Sequence, residues 1–125
     1  DGKVVYCVNQ PWIEAMRILK SSTILVVPSR MESLPTVIKE AFYLKIPVIS
    51  TSVGGIPELI DDEQTGILVD NENSEMLASK INQLLEDTQM QSKLISNAYE
   101  FVNQNFTWDV ILPKYIKFYE NLLSN

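Results

Sequence analysis

The fold of this chain is decided by residues 23–51, which read TILVVPSRMESLPTVIKEAFYLKIPVIST. Two apolar runs at its ends, residues 23–28 and 47–51, carry Val and Ile on consecutive positions, as do strands that a parallel sheet buries on both faces. Between them, Val37, Ala41 and Leu44 recur at helical spacing, which predicts a helix over residues 36–44. The stretch therefore predicts two parallel strands joined by a right-handed helical crossover.

The alternation of strand and helix patterns continues on both sides of this stretch. Two further apolar runs, VVYCV at residues 4–8 and GILVD at residues 66–70, raise the expected number of parallel strands to about four. Helical periodicity appears in four more segments: residues 11–21, 74–86, 90–102 and 107–123. Pro113 predicts a kink or a later start in the last helix, because proline lacks an amide donor. We expect an α/β fold, a Rossmann-like parallel sheet with flanking helices and a helical C-terminal region.

Composition and charge narrow the possible functions. The chain has 125 residues, 46% of them hydrophobic and 21% charged, which is typical of one compact domain. A net charge of −6 without histidine argues against a nucleic-acid partner. The single cysteine, Cys7, is predicted to be buried in a strand, and no disulfide or cysteine–histidine zinc site can form within the chain. No apolar run approaches the about 20 residues that span a bilayer, and we expect a cytoplasmic protein.

A ligand site is predicted where the first central strand runs into its helix. In open α/β sheets, ligands bind at the carboxyl ends of strands, beside helix N termini. The backbone amides of Thr36 and Val37 would point out of the positive end of the helix, which favours an anion such as phosphate. Glu40 lies one turn farther on and Glu32 lies before the turn, and each can accept hydrogen bonds from neighbouring hydroxyls. This spacing suits a nucleotide sugar, with a polyol on each side of its phosphates.

The spacing alone leaves a simpler alternative open. With 16 acidic residues in the chain, two glutamates eight positions apart can also be solvated surface charges. A second loop, residues 51–60, supports a ligand site, because Gly54 and Gly55 permit a positive φ and a close backbone approach before a short helix at residues 56–60. The same glycines also fit a plain strand-to-helix turn.

Residues 28–69, PSRMESLPTVIKEAFYLKIPVISTSVGGIPELIDDEQTGILV, closely resemble the donor-binding half of the group 1 (family 4) retaining glycosyltransferases. These enzymes have two facing Rossmann-like domains, the GT-B fold. The hallmark of the family is a Glu, seven residues, Glu motif, which is Glu32 and Glu40 here, in a frame of Pro-Val-Ile and Gly-Gly-Ile-Pro-Glu. The resemblance is strong over residues 4–70 and looser from there to residue 123.

By position, the resemblance implies roles for the motif residues. Glu32 matches the residue that contacts the donor sugar near the reacting carbon, and we assign it as catalytic. Glu40 matches the ribose ligand, and Ser33, also assigned to substrate binding, stands where the family often has glycine. The diphosphate cradle matches the backbone amides around three residues: Leu34, Thr36 and Val37. No metal or cofactor is implied.

Two further positions, Glu58 and Lys45, lie outside the predicted substrate-binding residues. Glu58 matches the acid that follows the Gly-Gly loop, and we interpret it as a structural residue that holds this loop and the short helix, with ligand contact as the alternative. Lys45 stands where many relatives have glycine, at a position remote from the ligand. We therefore expect the lysine to change little.

The resemblance also implies an architecture and a reaction. Residues 1–125 are expected to be part of a C-terminal nucleotide-sugar-binding domain, with a βαβ core at 1–70 and a helical region at 71–125. The N-terminal acceptor domain, the first donor-domain strands and the basic diphosphate ligands are expected to lie outside it. The implied reaction moves a sugar from a nucleoside diphosphate sugar to an acceptor with retention, in surface polysaccharide or glycoconjugate biosynthesis. The chain alone is expected to be inactive.

The acceptor is left as an unknown sugar, lipid-linked or small molecule, and membrane association of the longer protein through its N-terminal domain is left open. One alternative is a non-catalytic nucleotide-sugar-binding or regulatory α/β domain. A receiver-like regulator would need an acidic cluster after its first strand, and residues 4–10, VVYCVNQ, contain none. A second alternative is glycoside hydrolysis, which needs two carboxylates about 5–9.5 Å apart across one bond. A loop glutamate and a helix glutamate are better suited to different ends of one ligand.

Overall fold

The computed structural model of the protein describes residues 2–124, which form three strands and six helices. The elements follow one another in this order: α1 (Trp12–Lys20), β1 (Leu25–Val27), α2 (Thr36–Tyr43), β2 (Val48–Thr51), α3 (Ile56–Leu59), β3 (Ile67–Val69), α4 (Ser74–Glu86), α5 (Thr88–Asn105) and α6 (Trp108–Leu123). The three strands form one sheet in the order β1-β2-β3, and both pairs are parallel. The predicted α/β fold with a parallel sheet is confirmed.

The expected fourth strand is not formed. Residues 4–8 have no regular structure, their side chains are exposed, and Tyr6 is 87% accessible to solvent. A strand needs a neighbour to receive its backbone hydrogen bonds, and within residues 2–124 the sheet pairs β1 only with β2. The prediction that Cys7 is buried is wrong for the same reason, because without a strand partner its thiol is exposed.

The core lies on both faces of the sheet. Successive side chains of a strand point to opposite faces, and Val48 and Ile49 accordingly belong to two separate clusters of buried residues. The first cluster joins α2 to α5 through residues such as Phe42 and Ala98. The second packs Leu84 of α4 against β2 and β3. This packing fixes the sheet and α2, the two elements that carry the predicted site.

Helix α2 is followed by a residue in the left-handed conformation, at the position where many relatives have glycine. Lys45 has φ +62°, the amide of Lys45 donates to the Phe42 carbonyl at 3.2 Å, and the amide of Ile46 donates to the Ala41 carbonyl at 2.9 Å. These two bonds make a Schellman motif, in which glycine is usual because it has no Cβ. Here a lysine occupies the position, and its Nζ lies 4.5 Å from the centre of the Tyr99 ring.

The C-terminal helices follow the predicted periodicity closely. Helix α4 has the predicted bounds. Helix α5 begins before the predicted residue 90, because Asp87 caps it and accepts from the Met90 amide at 2.8 Å, and it ends at Asn105, beyond the predicted residue 102. Helix α6 begins at Trp108 and contains Pro113, so the later start is not adopted and the kink stays a prediction. No helix among residues 2–124 is long and apolar enough to cross a membrane. The ends of the predicted domain, Asp1 and Asn125, lie outside the described residues.

Candidate functional site

The predicted anion site lies at the N terminus of α2, directly after the loop that follows β1. Pro35 is the N-cap residue, with φ −65° and ψ 123°, so it precedes the first helical residue. Its side chain is buried and cannot accept a hydrogen bond, and no side chain among residues 2–124 caps the helix. The first amides of a helix have no partner within the helix. The amides of Thr36 and Val37 are therefore left for water or a ligand, as the sequence predicts.

Hydroxyl groups at the end of β2 hold the loop that precedes this helix. Thr51 Oγ1 donates to the Ser29 carbonyl at 2.6 Å, and Ser50 Oγ donates to the Val27 carbonyl at 3.0 Å. Both hydroxyls belong to buried residues, where an unpaired polar group would be costly. They therefore hold the start of the glutamate loop against the neighbouring strand.

The Gly-Gly loop after β2 packs backbone to backbone against the glutamate motif. The amide of Gly55 donates to the Ser33 carbonyl at 2.8 Å. A Cβ on Gly54 would lie 1.7 Å from the Glu32 carbonyl oxygen, and one on Gly55 would lie 2.2 Å from the Ser33 carbonyl oxygen. Gly54 also has φ +55°. The predicted positive φ and close approach are both present, and the atoms approached are those of the glutamate motif.

The two glutamates of the motif are half-buried, and each already has one hydrogen-bond donor. Glu32 Oε2 accepts from the Ser33 amide at 3.1 Å, a contact within its own loop. Glu40 Oε1 accepts from Trp12 Nε1 at 2.9 Å, a contact between α1 and α2. Each carboxylate keeps an oxygen without a hydrogen-bond partner among residues 2–124, and that oxygen can accept from a ligand hydroxyl.

The remaining predicted residues lie on the same loop and helix end. Ser33, Leu34 and Thr36 are exposed, whereas the side chain of Val37 packs against the core and leaves only its amide for a ligand. The structure thus brings the six predicted site residues to one edge of the sheet. Contact of any of them with a donor stays a prediction.

The two cations nearest the motif each have a partner at the protein surface. Arg30 Nε lies 3.4 Å from Glu72 Oε1, and Lys39 Nζ lies 5.2 Å from the centre of the Phe106 ring. Glu58 is exposed in α3, and its side chain has no hydrogen bond or ion pair within residues 2–124. Its amide donates to the Gly55 carbonyl at 3.0 Å, and a structural role of the side chain stays a prediction. Within the same residues, no group of three or more His, Cys, Asp or Glu could hold a metal ion.

An open depression of about 320 Å³ lies beside the glutamate loop, at the carboxyl ends of all three strands. It is lined by Pro28 and Arg30 of that loop, by Thr51 of β2, and by the segment from Val69 into α4. This is the edge of an open α/β sheet at which ligands bind. Its volume lies at the lower end of the range for small-molecule sites.

Sequence reasoning missed two of these contacts. The Trp12–Glu40 hydrogen bond joins residues 28 positions apart, and the only signal for it was a tryptophan at the start of a helix. The sequence places Ser50 and Thr51 in a strand but does not predict the hydrogen bonds of their hydroxyls. The signal that could have indicated them is the occurrence of two polar residues at the end of an apolar run.

Comparison with protein-family models identifies the family of this chain. The model of the family described as "Glycosyl transferases group 1" matches residues 2–101. The chain belongs to the group 1 glycosyltransferases. The predicted family is therefore confirmed, and the Glu32–Glu40 motif lies within the matched region.

Individual relatives of this glycosyltransferase chain agree with the family. A glycosyltransferase of uncharacterised specificity from Methanocaldococcus jannaschii is 33% identical over 109 residues, which cover 87% of this chain and 31% of the relative. The structure of sucrose-phosphate synthase from Thermosynechococcus elongatus matches with TM-score 0.85 and 31% identity over 94% of this chain and 30% of that one. Anabaena HepE, solved in complex with UDP-glucose, matches with TM-score 0.74 and 27% identity over 87% and 29%. The chain thus spans less than a third of the length of each.

Proposed function

We propose that this group 1 chain is the donor-binding part of an enzyme that transfers a sugar from a nucleoside diphosphate sugar to an acceptor. The observation that carries the proposal is the α2 N terminus without a side-chain cap, flanked by Glu32 and Glu40 at the carboxyl edge of the sheet. A helix N terminus favours anions, and the flanking carboxylates favour hydroxyls. The structural similarity to HepE, solved with UDP-glucose, supports this class of donor.

In this proposal the diphosphate lies against the amides of Thr36 and Val37, with Leu34 at the edge of the cradle. Breaking the bond to the sugar places negative charge on the departing diphosphate. Amide donors that are already fixed at a helix end stabilise that charge as it develops, without reorganising at the moment of reaction. The hydroxyls of Ser50 and Thr51 support this by holding the preceding loop in place.

The two carboxylates bind opposite ends of the donor. Glu40 accepts hydrogen bonds from the ribose hydroxyls, and Glu32 accepts them from the sugar near the reacting carbon. Each charge-assisted hydrogen bond of this kind contributes about 1.5–3 kcal/mol. Ser33 binds from the same loop, because its exposed hydroxyl forms no hydrogen bond within residues 2–124 and is left for the sugar.

The proposal extends to the longer protein. Residues 1–125 form part of its C-terminal domain, with the βαβ core at 1–70 and the helical region at 71–125, and the acceptor-binding domain and the first strands of the donor domain lie elsewhere in it. Transfer proceeds with retention at the anomeric carbon, in the cytoplasm, in biosynthesis of a surface polysaccharide or glycoconjugate. Arg30 and Lys39 do not match the family positions whose basic residues neutralise the diphosphate, so that role falls to cations outside this chain. The chain alone therefore binds donor weakly and transfers no sugar.

A titration of the isotopically labelled chain, followed by NMR of its amides, tests the binding site. UDP-glucose and inorganic pyrophosphate are expected to shift the amides of Thr36 and Val37 at millimolar concentration. The N terminus of α5 serves as an internal control, because the Asp87 side chain already accepts from its Met90 amide at 2.8 Å and α5 does not line the depression beside the glutamate loop. Shifts at α5 alone, or at neither α2 nor α5, would refute the proposed site.

Turnover is tested in the longer protein. Sugar transfer with retained anomeric configuration, read from the NMR spectrum of the product, is the expected result. Binding without transfer to any acceptor would leave a nucleotide-sugar-binding module, and detectable transfer by the purified chain of residues 1–125 would contradict its predicted inactivity.

A further inference from the structure

Trp12 lies at the start of α1 and contacts the glutamate motif from a neighbouring helix. Its indole Nε1 donates to Glu40 Oε1 at 2.9 Å, although the two residues are 28 positions apart in the chain. This distance is that of a normal N–H···O hydrogen bond. It is also one of the contacts by which α1 lies beside α2.

The indole ring of Trp12 is not a core residue. It is 66% exposed to solvent, whereas Leu19 and Met16 are the residues of α1 that pack into the core. Tryptophan contributes most to stability when its large apolar surface is buried, and that gain is mostly absent here. The hydrogen bond to Glu40 is what the side chain contributes at this position.

An indole N–H suits a carboxylate that must keep its charge. It is a donor only, and it carries no charge of its own. Among residues 2–124, no cation forms an ion pair with Glu40, and Oε2 accepts no hydrogen bond. Trp12 therefore fixes one oxygen of Glu40 without neutralising the side chain, and leaves the other oxygen for a hydroxyl.

We propose that Trp12 is a positioning residue of the donor site, which holds the Glu40 carboxylate in the orientation that accepts the ribose hydroxyls. This inference rests on the proposed function, in which Glu40 is the ribose ligand. Without the indole donor, the glutamate side chain regains its rotamer freedom, and a ligand must restrict it again on binding. The site is thereby preorganised for a nucleotide that carries a ribose diol.

The test replaces Trp12 with phenylalanine, which keeps an aromatic ring and removes the N–H donor. Trp108→Phe is the matched control, because it makes the same change at the only other tryptophan, which is 76% exposed. Affinities of the chain are measured by NMR titration for UDP, for 2′,3′-dideoxyuridine diphosphate and for inorganic pyrophosphate. Adenosine and guanosine diphosphates and their dideoxy analogues are titrated in parallel, and the base that binds most tightly is used.

The original chain is expected to bind the ribonucleotide about tenfold or more tightly than the dideoxy analogue. Trp12→Phe should weaken ribonucleotide binding by about tenfold, the scale of one long side chain that must be ordered. Binding of the dideoxy analogue and of pyrophosphate should not change, and Trp12→Phe should add nothing in a Glu40→Ala background, which has no side-chain acceptor for the indole N–H. Trp108→Phe should bind all three probes as the original chain does.

The outcomes separate this inference from the proposed function. If the original chain binds the ribonucleotide and Trp12→Phe binds it equally well, the positioning role is refuted and the function stands. The role is equally refuted if Trp12→Phe weakens all three probes alike, or if Trp108→Phe has the same effect, because the change would then act through the fold. If the original chain binds neither pyrophosphate nor any of the three nucleotides, the proposed function itself fails, and this inference fails with it.

Discussion

Replacing Gly54 with alanine is the sharpest perturbation of the contact between the two site loops. The added Cβ would lie 1.7 Å from the Glu32 carbonyl oxygen and 2.8 Å from the carbonyl carbon. Both atoms belong to the backbone, so a change of side-chain rotamer cannot relieve the overlap. The residue would also keep φ +55°, the left-handed region that an alanine adopts at a cost.

The expected effect on stability has three parts. The left-handed conformation costs about 1–2 kcal/mol for a residue with a Cβ. Forcing the loops apart costs about 1–3 kcal/mol, the scale of overpacking a filled site. Lower entropy of the unfolded chain returns about 0.4–1 kcal/mol. The net loss in the free energy of unfolding is about 1–4.6 kcal/mol, a large fraction of the about 5–15 kcal/mol of a typical domain.

The effect on ligand binding should accompany the loss of stability, because the backbone that must move carries Glu32. Displacing Glu32 would remove a charge-assisted hydrogen bond to the sugar of about 1.5–3 kcal/mol, so we expect the affinity for UDP-glucose to fall by about tenfold or more. Urea unfolding followed by circular dichroism measures the stability, and NMR titration with UDP-glucose measures the affinity.

Gly2→Ala is the matched control for this substitution, because nothing lies within 4 Å of its added Cβ. It should leave both the free energy of unfolding and the affinity unchanged. If Gly54→Ala unfolds within about 0.5 kcal/mol of the original chain, the loops do not approach as closely as described and the reasoning is wrong.

Other predictions follow from the same contacts. In the longer enzyme, Glu40→Ala should raise donor KM with a smaller effect on kcat, because ribose contacts are equal in the ground and transition states. Glu32→Ala should lower kcat by about 10²–10³-fold, because Glu32 lies near the reacting carbon. Steady-state kinetics with the natural donor would show the reversed pattern if the two glutamates bind the other ends of the donor. Asp87→Ala should lower the free energy of unfolding by about 1 kcal/mol in urea titrations, because the Met90 amide loses its cap at 2.8 Å; an unchanged unfolding midpoint would show that water replaces the cap. Lys45→Gly removes a side chain from a left-handed residue, which is favourable, and also a cation–π contact, which is unfavourable. Because these effects largely offset each other, the free energy of unfolding should change by less than about 1 kcal/mol. A change in UDP-glucose affinity would contradict the prediction that this position is remote from the ligand.

Much of the fold could be predicted because its signals are local. Helix α4 has the bounds that its periodicity predicts, and the three apolar runs between residues 23 and 70 form the parallel strands. The glutamate motif, with the Gly-Gly loop behind it, was enough to predict the family that the comparison confirms. For α4 and the Gly-Gly loop, a few consecutive residues carry the apolar face or the backbone requirement. For the three strands, the apolar runs that follow one another in the chain also supply the pairing partners.

Tertiary structure decided what depends on distant partners. Residues 4–8 have the composition of a strand, yet they form none, because backbone pairing needs a neighbouring strand that composition cannot supply. The sequence by itself determined that Gly54 and Gly55 allow a close approach, but only the sheet order brings the Glu32 backbone to them. It also determined that Glu40 lies beyond a helix N terminus, whereas the packing of α1 beside α2 decided that Trp12 is its donor. The physical reason is that such contacts depend on how whole helices and strands are placed, and no local pattern of residues encodes that placement.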